Sequence, residues 1–272
     1  MKENLSKYKK VLFEAAESAG MILVKNFSTE YEIGRKKEYS DLVTEIDRKS
    51  ESKIIKIIHA NFPGHNILSE ECGDLNLKSE YLWIIDPLDG TINYTRSLPI
   101  FCVSIALQIR EELKLGLIYN PMSDEKFFAE KGKGAFFNGK KIYVSKTKYL
   151  RDSLLVTGFP YMAKENIDHC IDHFANFMKT GVPIRRLGSA AIDLCYIACG
   201  KFDGFWEVSL NPWDVAAGCL ITTEAGGLLS DFSGRKYSIY GKQILVSNGK
   251  IHGEMIKVLQ KAYSLPDRRA GR

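Results

Sequence analysis

The stretch Ile85-Asp86-Pro87-Leu88-Asp89-Gly90-Thr91-Ile92 constrains this chain more than any other. It continues Tyr81-Leu82-Trp83-Ile84-Ile85, a short β-branched and aromatic run that reads as a buried strand. Two aspartates fall where that strand should end. Pro87 lacks an amide N–H and Gly90 tolerates left-handed backbone, so together they dictate a tight turn. Thr91 and Asn93 are placed to start a helix. Carboxylates attract cations, and helix N-termini attract anions. The turn therefore admits two readings: a site for a metal-bridged phosphate, or aspartates that merely cap a helix.

The chain around the turn is that of an ordinary globular protein. Its 272 residues can bury a full core, as one large domain or as two lobes. Hydrophobic content is 45% and charged content 26%, and no apolar stretch approaches the ~20 residues of a membrane span. The start, Met1-Lys2-Glu3-Asn4-Leu5, has no apolar signal core. A net charge of +5 is small for this length, and its clearest cluster, Asp267 to Arg272, reads as a solvated end. Nucleic acid is not an expected partner. None of the six cysteines forms a C-x-x-C pair, so zinc is not expected, and Cys195 and Cys199 read as small buried groups. A reduced, cytoplasmic protein fits these features.

In chain order, Leu5, Tyr8, Leu12, Ala15, Ala19, Ile22, Leu23 and Phe27 recur at helical spacing. Tyr31 to Ser40, with Arg35, Lys36 and Lys37, reads as an exposed hairpin or mobile loop. Thr44 then caps a helix to about Asn61, with Asp47 in its first turn. Ile67-Leu68 is a brief strand ending at Ser69-Glu70-Glu71. Beyond the aspartate turn, alternating segments and the Asn138-Gly139 hairpin signal predict a mostly antiparallel sheet over about 67–145. The grouping is α+β rather than strict βαβ. The second half predicts a strand at 154–159, a helix at 163–179, a short strand at 184–187 and a small-residue helix opened by Gly188-Ser189. A strand over 202–208 carries Glu207. Asn211-Pro212-Trp213-Asp214 starts the next helix, Gly226-Gly227 stops it, and two strands and a helix at 250–263 follow.

Five acidic residues share one kind of position: Asp47, Glu70, Asp86, Asp89 and Asp214 each lie at a strand end or in a helix first turn. Such positions can converge at one edge of a layered domain. An all-oxygen set selects a hard cation, Mg2+ or Mn2+, over zinc. Two such ions about 4 Å apart can polarise a phosphoryl group and activate a water.

These motifs resemble those of the inositol monophosphatase family. The resemblance rests on Asp41 to Asp47, Leu68-Ser69-Glu70-Glu71, Trp83 to Tyr94, Trp213 to Gly218 and Thr223 to Gly227, in family order across residues 36–227. It implies a layered αβαβα sandwich of the sugar-phosphatase type and Mg2+-dependent hydrolysis of small phosphomonoesters. It also implies that residues 1–145 form a lobe with most metal ligands, and 146–272 a lobe with Asp214 and substrate contacts. By motif, Glu70, Asp86 and the Leu88 carbonyl would hold one ion. Asp86, Asp89 and Asp214 would hold a second, and Glu70 would face a weaker third, with Mn2+ as a substitute. Thr91, hydrogen-bonded to Asp47, would orient the attacking water with Glu70. The Gly90 and Thr91 amides would bind phosphate.

Substrate contacts follow from the same resemblance. Glu207 would take a hydroxyl, Gly188, Ser189 and Ala190 would border the ring, and Lys36, or Lys37 as the alternative, would reach from a mobile loop. Asp89 belongs to both metal and substrate sets. The substrate is expected to be inositol 1-phosphate, with fructose 1,6-bisphosphate as a second, because Arg185-Arg186 resembles the pattern of dual-activity relatives; Arg186 could hold the second phosphate. A homodimer and inhibition by lithium are family expectations. Two rivals remain: a nucleotide 3′-phosphatase, and an RNA-polymerase-associated binding role as in some bacterial relatives.

Overall fold

The structure, a computed structural model, describes residues 4–29, 33–35, 42–160 and 163–261. Helix α1 (Ser6–Asn26) buries Leu12, Ala15, Ala19 and Leu23 of the stripe that its spacing predicts, together with Val11 and Ala16, while Leu5, Tyr8, Ile22 and Phe27 pack half-buried at its edge. At Gly20 an added Cβ would stand 2.5 Å from the Tyr119 ring, so glycine lets the helix approach the sheet. Strands β1 (Ile33–Arg35) and β2 (Leu42–Thr44) pair antiparallel and lead into α2 (Glu45–Asn61).

A larger sheet follows, made of β3 (Asn66–Ser69), β4 (Gly73–Asp74), β5 (Tyr81–Asp89), β6 (Cys102–Ile109), β7 (Glu112–Asn120), β8 (Glu125–Glu130), β9 (Gly134–Phe137) and β10 (Lys140–Ile142). The order is β10-β9-β8-β7-β6-β5-β3-β4, and only β3 and β5 run parallel. Asn138 (φ 45°) and Gly139 (φ 76°) make the left-handed β9–β10 turn that their sequence predicts. The short helix α3 (Thr91–Thr95) leaves the end of β5.

The second sheet is built from β11 (Leu155–Thr157), β12 (Ile184–Arg185), β13 (Gly204–Val208), β14 (Leu228–Ser230) and β15 (Gln243–Ser247), in the order β12-β11-β13-β15-β14. Its helices are α4 (Cys170–Met178), α5 (Ala190–Ala198), α6 (Pro212–Glu224) and α7 (His252–Leu259). Helices α1 and α2 pack on the outer face of the first sheet, α5 and α6 lie between the sheets, and α4 and α7 cover the far face of the second. The result is the expected α+β sandwich in αβαβα layers. Each interlayer space has an apolar core, with Trp83 and Ile85 in the first, Ile84 and Ala217 in the next, Phe205 and Val246 in the third, and Phe177 and Trp206 in the last. Each buried Ile, Val or Phe among these contributes about 1.5–3 kcal/mol. No helix among the described residues is long and apolar enough to cross a membrane. All six cysteines are free, and Cys102, Cys170, Cys195 and Cys219 are buried.

Two local expectations change. The helix predicted over 163–179 begins only at Cys170. Ahead of it, Asn166, Asp168 and His169 adopt left-handed backbone (φ 51°, 47° and 59°) and break the run into short 3-10 turns. Asn, Asp and His reach that region more readily than most side chains. Strand β5 does not stop at Ile85 but pairs with β6 as far as Asp89, with a register shift between Asp86 and Asp89. Pro87, which cannot donate to a ladder, sits inside that irregularity.

Candidate active site

The irregular end of β5 aims its carboxylates. Asp86 is buried, and its Oδ1 accepts the Leu88 amide at 2.9 Å. The Ser50 hydroxyl of α2 donates to the Pro87 carbonyl at 2.9 Å and clamps the segment from below. Gly90 then turns left-handed (φ 93°) where a Cβ would lie 2.9 Å from the Ile100 carbonyl oxygen, so both conformation and space require glycine. Thr91 follows with its hydroxyl 3.0 Å from the Leu88 carbonyl and 3.2 Å from Asp47 Oδ1. A hydroxyl carries one proton, so these two acceptors compete for it.

The other carboxylates are held from neighbouring elements. The Glu70 amide donates to the Ile85 carbonyl at 3.2 Å, tying the β3 end to β5. Its loop is anchored by Glu51 of α2, whose Oε1 accepts the Ser69 hydroxyl and the Glu71 and Cys72 amides (3.0 and 3.1 Å). At the predicted start of α6, Asp214 closes a capping box, its Oδ2 accepting the Asn211 amide at 2.7 Å. Asp89 Oδ2 accepts the Ser189 hydroxyl at 2.6 Å and the Ala191 amide at 2.8 Å, joining β5 to the N-terminus of α5. Asn93 repeats that link, donating to the Ile100 and Leu187 carbonyls at 2.7 and 2.9 Å.

Asp86, Asp89 and Asp214 thus face one another, with Glu70 beside them, closely enough for the acidities of the three aspartates to shift. Burial, then repulsion from Glu70, Asp89 and Asp214, holds the Asp86 carboxyl well above the usual range. Burial and then Glu70 do the same to Asp214. Burial raises Asp89 to about 6, against the hydrogen bonds from Ser189 and Ala191. Among the described residues no three His, Cys, Asp or Glu side chains stand in ion-holding geometry; closing this set round one ion takes side-chain rotation from fixed strand and helix positions. The donor chemistry fits hard divalent cations. The set is all oxygen, and its mutual repulsion is the kind a cation relieves.

Glu70, Asp89, Gly90, Thr91 and Asp214 line one wall of a cleft of about 160 Å³. Gly188, Ser189, Ala190, Arg186 and Glu207 line it too, so the expected substrate contacts meet the expected metal ligands. Lys36 and Lys37 lie outside the described residues. Of the arginine pair, Arg186 reaches the cleft, whereas exposed Arg185 donates to its own neighbour, the Ile184 carbonyl, at 3.1 Å. Glu207 is pushed up to about 8, chiefly by burial and then by Asp214, with Arg186 opposing. Gly158 makes room for it: a Cβ there would stand 2.2 Å from Glu207 Oε2.

Sequence reasoning missed Glu51, Asn93, Gly158 and Asp193. Only Glu51 carried a usable signal, an acid on the apolar face of α2 between Asp47 and Ile54. The Thr223-Glu224 motif has a structural task, because both Glu224 oxygens accept amides, from Gly132 and Gly134, at 2.9 Å.

The inositol monophosphatase family profile matches residues 4–264. The chain belongs to the inositol monophosphatase family. It is 41% identical over 257 residues to an inositol-1-monophosphatase of Synechocystis sp., covering 94% of this chain and 90% of that protein. It is 38% identical over 248 residues to Nus factor SuhB of Escherichia coli K12, covering 90% and 93%. Among solved structures, the extragenic suppressor protein suhB of Bartonella henselae superposes with a TM-score of 0.90 at 37% identity, over 95% of this chain and all of that one. The layered sandwich is therefore a fold this family member shares with its relatives.

Proposed function

We propose that this member of the inositol monophosphatase family is a cytoplasmic, homodimeric, Mg2+-dependent phosphomonoesterase that hydrolyses inositol 1-phosphate, with fructose 1,6-bisphosphate as a second substrate. The convergence of Glu70, Asp89 and Asp214 on one cleft, with Asp86 buried behind it and repelled by all three, carries this reading. Glu70, Asp86 and the Leu88 carbonyl would hold one ion, Asp86, Asp89 and Asp214 another, and Glu70 a third. Bound Mg2+ supplies charge neutralisation at the phosphoryl oxygens and lowers the pKa of a water. The protein orients that water through the Thr91 hydroxyl, which Asp47 and the Leu88 carbonyl hold in place. Glu70 shares its deprotonation. The Gly90 and Thr91 amides receive phosphate oxygens, and Glu207 takes a hydroxyl of the leaving polyol. Arg186 supplies a cation for a second phosphate.

Phosphate release across inositol 1-phosphate, fructose 1,6-bisphosphate and a nucleotide 3′-phosphate tests the proposal. Inositol 1-phosphate is expected to turn over fastest, with activity abolished by EDTA and restored by Mg2+. A metal-indifferent rate, or a preference for the nucleotide, would sink it. Gly158→Ala is expected to displace Glu207 and raise the KM for inositol 1-phosphate about tenfold. Its melting temperature should hardly change, because the clash is with the flexible end of a side chain. An unchanged KM would remove Glu207 from the substrate site.

A second reading is a binding role, favoured by the likeness to a relative called a Nus factor. Its surface would be the groove between α1 and α2 lined by Lys25, Arg48, Lys49, Lys53 and Lys56. Retained binding to RNA polymerase by a chain lacking Asp86 would support it, and loss on reversing the charges in this groove would locate it.

A further inference from the structure

Asp193 takes no part in the proposed chemistry, and beyond complementing the α5 dipole no hydrogen bond among the described residues gives its side chain a structural task. It sits in the first turn of α5, 1% exposed, between Ile192 and Leu194, which are buried in the apolar layers on either side. Its Oδ1 is fully buried and has no hydrogen-bond partner among the described residues. A buried carboxylate without a donor costs stability, and a well-packed apolar residue would serve the helix better. The charged groups that act on it are Glu207, Asp89 and Arg186. It also lines the cleft, together with Glu207, Arg186 and Gly188. The donor it lacks must come from something that enters the cleft. Around Asp193 two further acids, Glu207 and Asp89, outnumber the one cation, Arg186, so that corner of the cleft disfavours an anion. A neutral donor fits, and a sugar or polyol hydroxyl is one.

We propose that Asp193 reads a second hydroxyl of the polyol that carries the phosphate, beside the hydroxyl taken by Glu207. This rests on the phosphomonoesterase reading and adds selectivity to it. The two acids form a paired acceptor, so the cleft selects leaving groups that present two hydroxyls together. A substrate without them leaves both acids buried and unpaired, a penalty that discriminates more sharply than lost apolar contact.

Kinetics and melting of Asp193→Ala and Asp193→Asn, with Mg2+ present, test the proposal. Three kinds of substrate are needed: inositol 1-phosphate, a series of its monodeoxy analogues, and p-nitrophenyl phosphate, which has no hydroxyl to read. Asp193→Ala is expected to raise the KM for inositol 1-phosphate about tenfold with little change in kcat. Asp193→Asn should recover part of this, because its amide oxygen still accepts. One monodeoxy analogue should be as poor for the native enzyme as the full substrate is for Asp193→Ala, and should lose nothing further in that variant. The KM for p-nitrophenyl phosphate should move less than about twofold, and the melting temperature should hold or rise as an unpaired buried polar group is removed. A merely structural role predicts the reverse, with a lower melting temperature and equal losses on every substrate; that result, or an unchanged KM for inositol 1-phosphate, overturns the proposal. If the native protein hydrolyses none of the inositol phosphates in Mg2+, the phosphomonoesterase reading fails and takes this one with it.

Discussion

Replacing Asp86 by asparagine is expected to cut turnover about 10²–10³-fold and, at the same time, to make the metal-free protein more stable. The two effects have one cause. Asp86 is buried against Glu70, Asp89 and Asp214, and burial and repulsion both disfavour its charge. In the proposed mechanism it is the ligand shared by two ions, so a neutral amide there weakens both positions. Without cations, the same amide removes one of four repelling acids. The local geometry should survive, because the substituted side chain keeps an Oδ1 that can accept the Leu88 amide as Asp86 does. Relief of one or two kcal/mol would raise the melting temperature in EDTA by ~2–4 °C for each. The upward shift on adding Mg2+ should shrink, since fewer ligands bind the folded state preferentially. Melting curves with and without Mg2+, alongside turnover, check both halves. Normal turnover would remove Asp86 from the metal set. A large fall in melting temperature would mean that activity was lost through unfolding.

Why the aspartate turn was legible and much of its support was not follows from the range of the signals. Pro87, Gly90 and the two aspartates act within a few residues, so their spacing announces the turn directly. The same holds for the helix start at Asn211–Asp214 and for Asn138-Gly139. The bulge after Asp86 was harder to see, since a proline inside a strand reads as a strand end unless the partner strand is known. Glu51 shows the limit more sharply. Helical periodicity puts it on the inner face of α2, but its partners are the Ser69 hydroxyl and the amides of Glu71 and Cys72, 18 to 21 residues away. Periodicity says that a side chain faces inward and is silent on what waits there. Gly158 and Asp193 make the same point in the second half of the chain, because both owe their meaning to Glu207, which reaches them only through the fold. The error at 163–179 has another source: Ile167, Cys170, Phe174 and Phe177 keep a plausible apolar rhythm, while Asn166, Asp168 and His169 turn the backbone left-handed.

In metal-free protein, stability is expected to fall as pH rises from about 5 to above 8, the opposite of the usual carboxylate trend. A group whose folded pKa lies above its unfolded value binds more protons in the folded state between the two, so raising the pH through that window destabilises the fold. Asp89 rises from 3.8 to about 6. Glu207 rises from 4.5 to about 8, mainly through burial. Its window alone corresponds to a loss of the order of 4 kcal/mol once pH exceeds 8. Urea unfolding in EDTA at several pH values between 5 and 9 measures the slope. Glu207→Gln should flatten the upper part of it and leave a variant more stable than the native chain at pH 8.5, with little difference at pH 5. An unaltered slope in that variant would show that Glu207 ionises freely and is not desolvated. Added Mg2+ separates the two acids further. A cation beside Asp89 favours its charged form and should remove the lower step, and it should also blunt the repulsion that Asp214 exerts on Glu207. Burial, the larger cause at Glu207, would persist, so an upper step should survive in saturating Mg2+ while the lower one disappears.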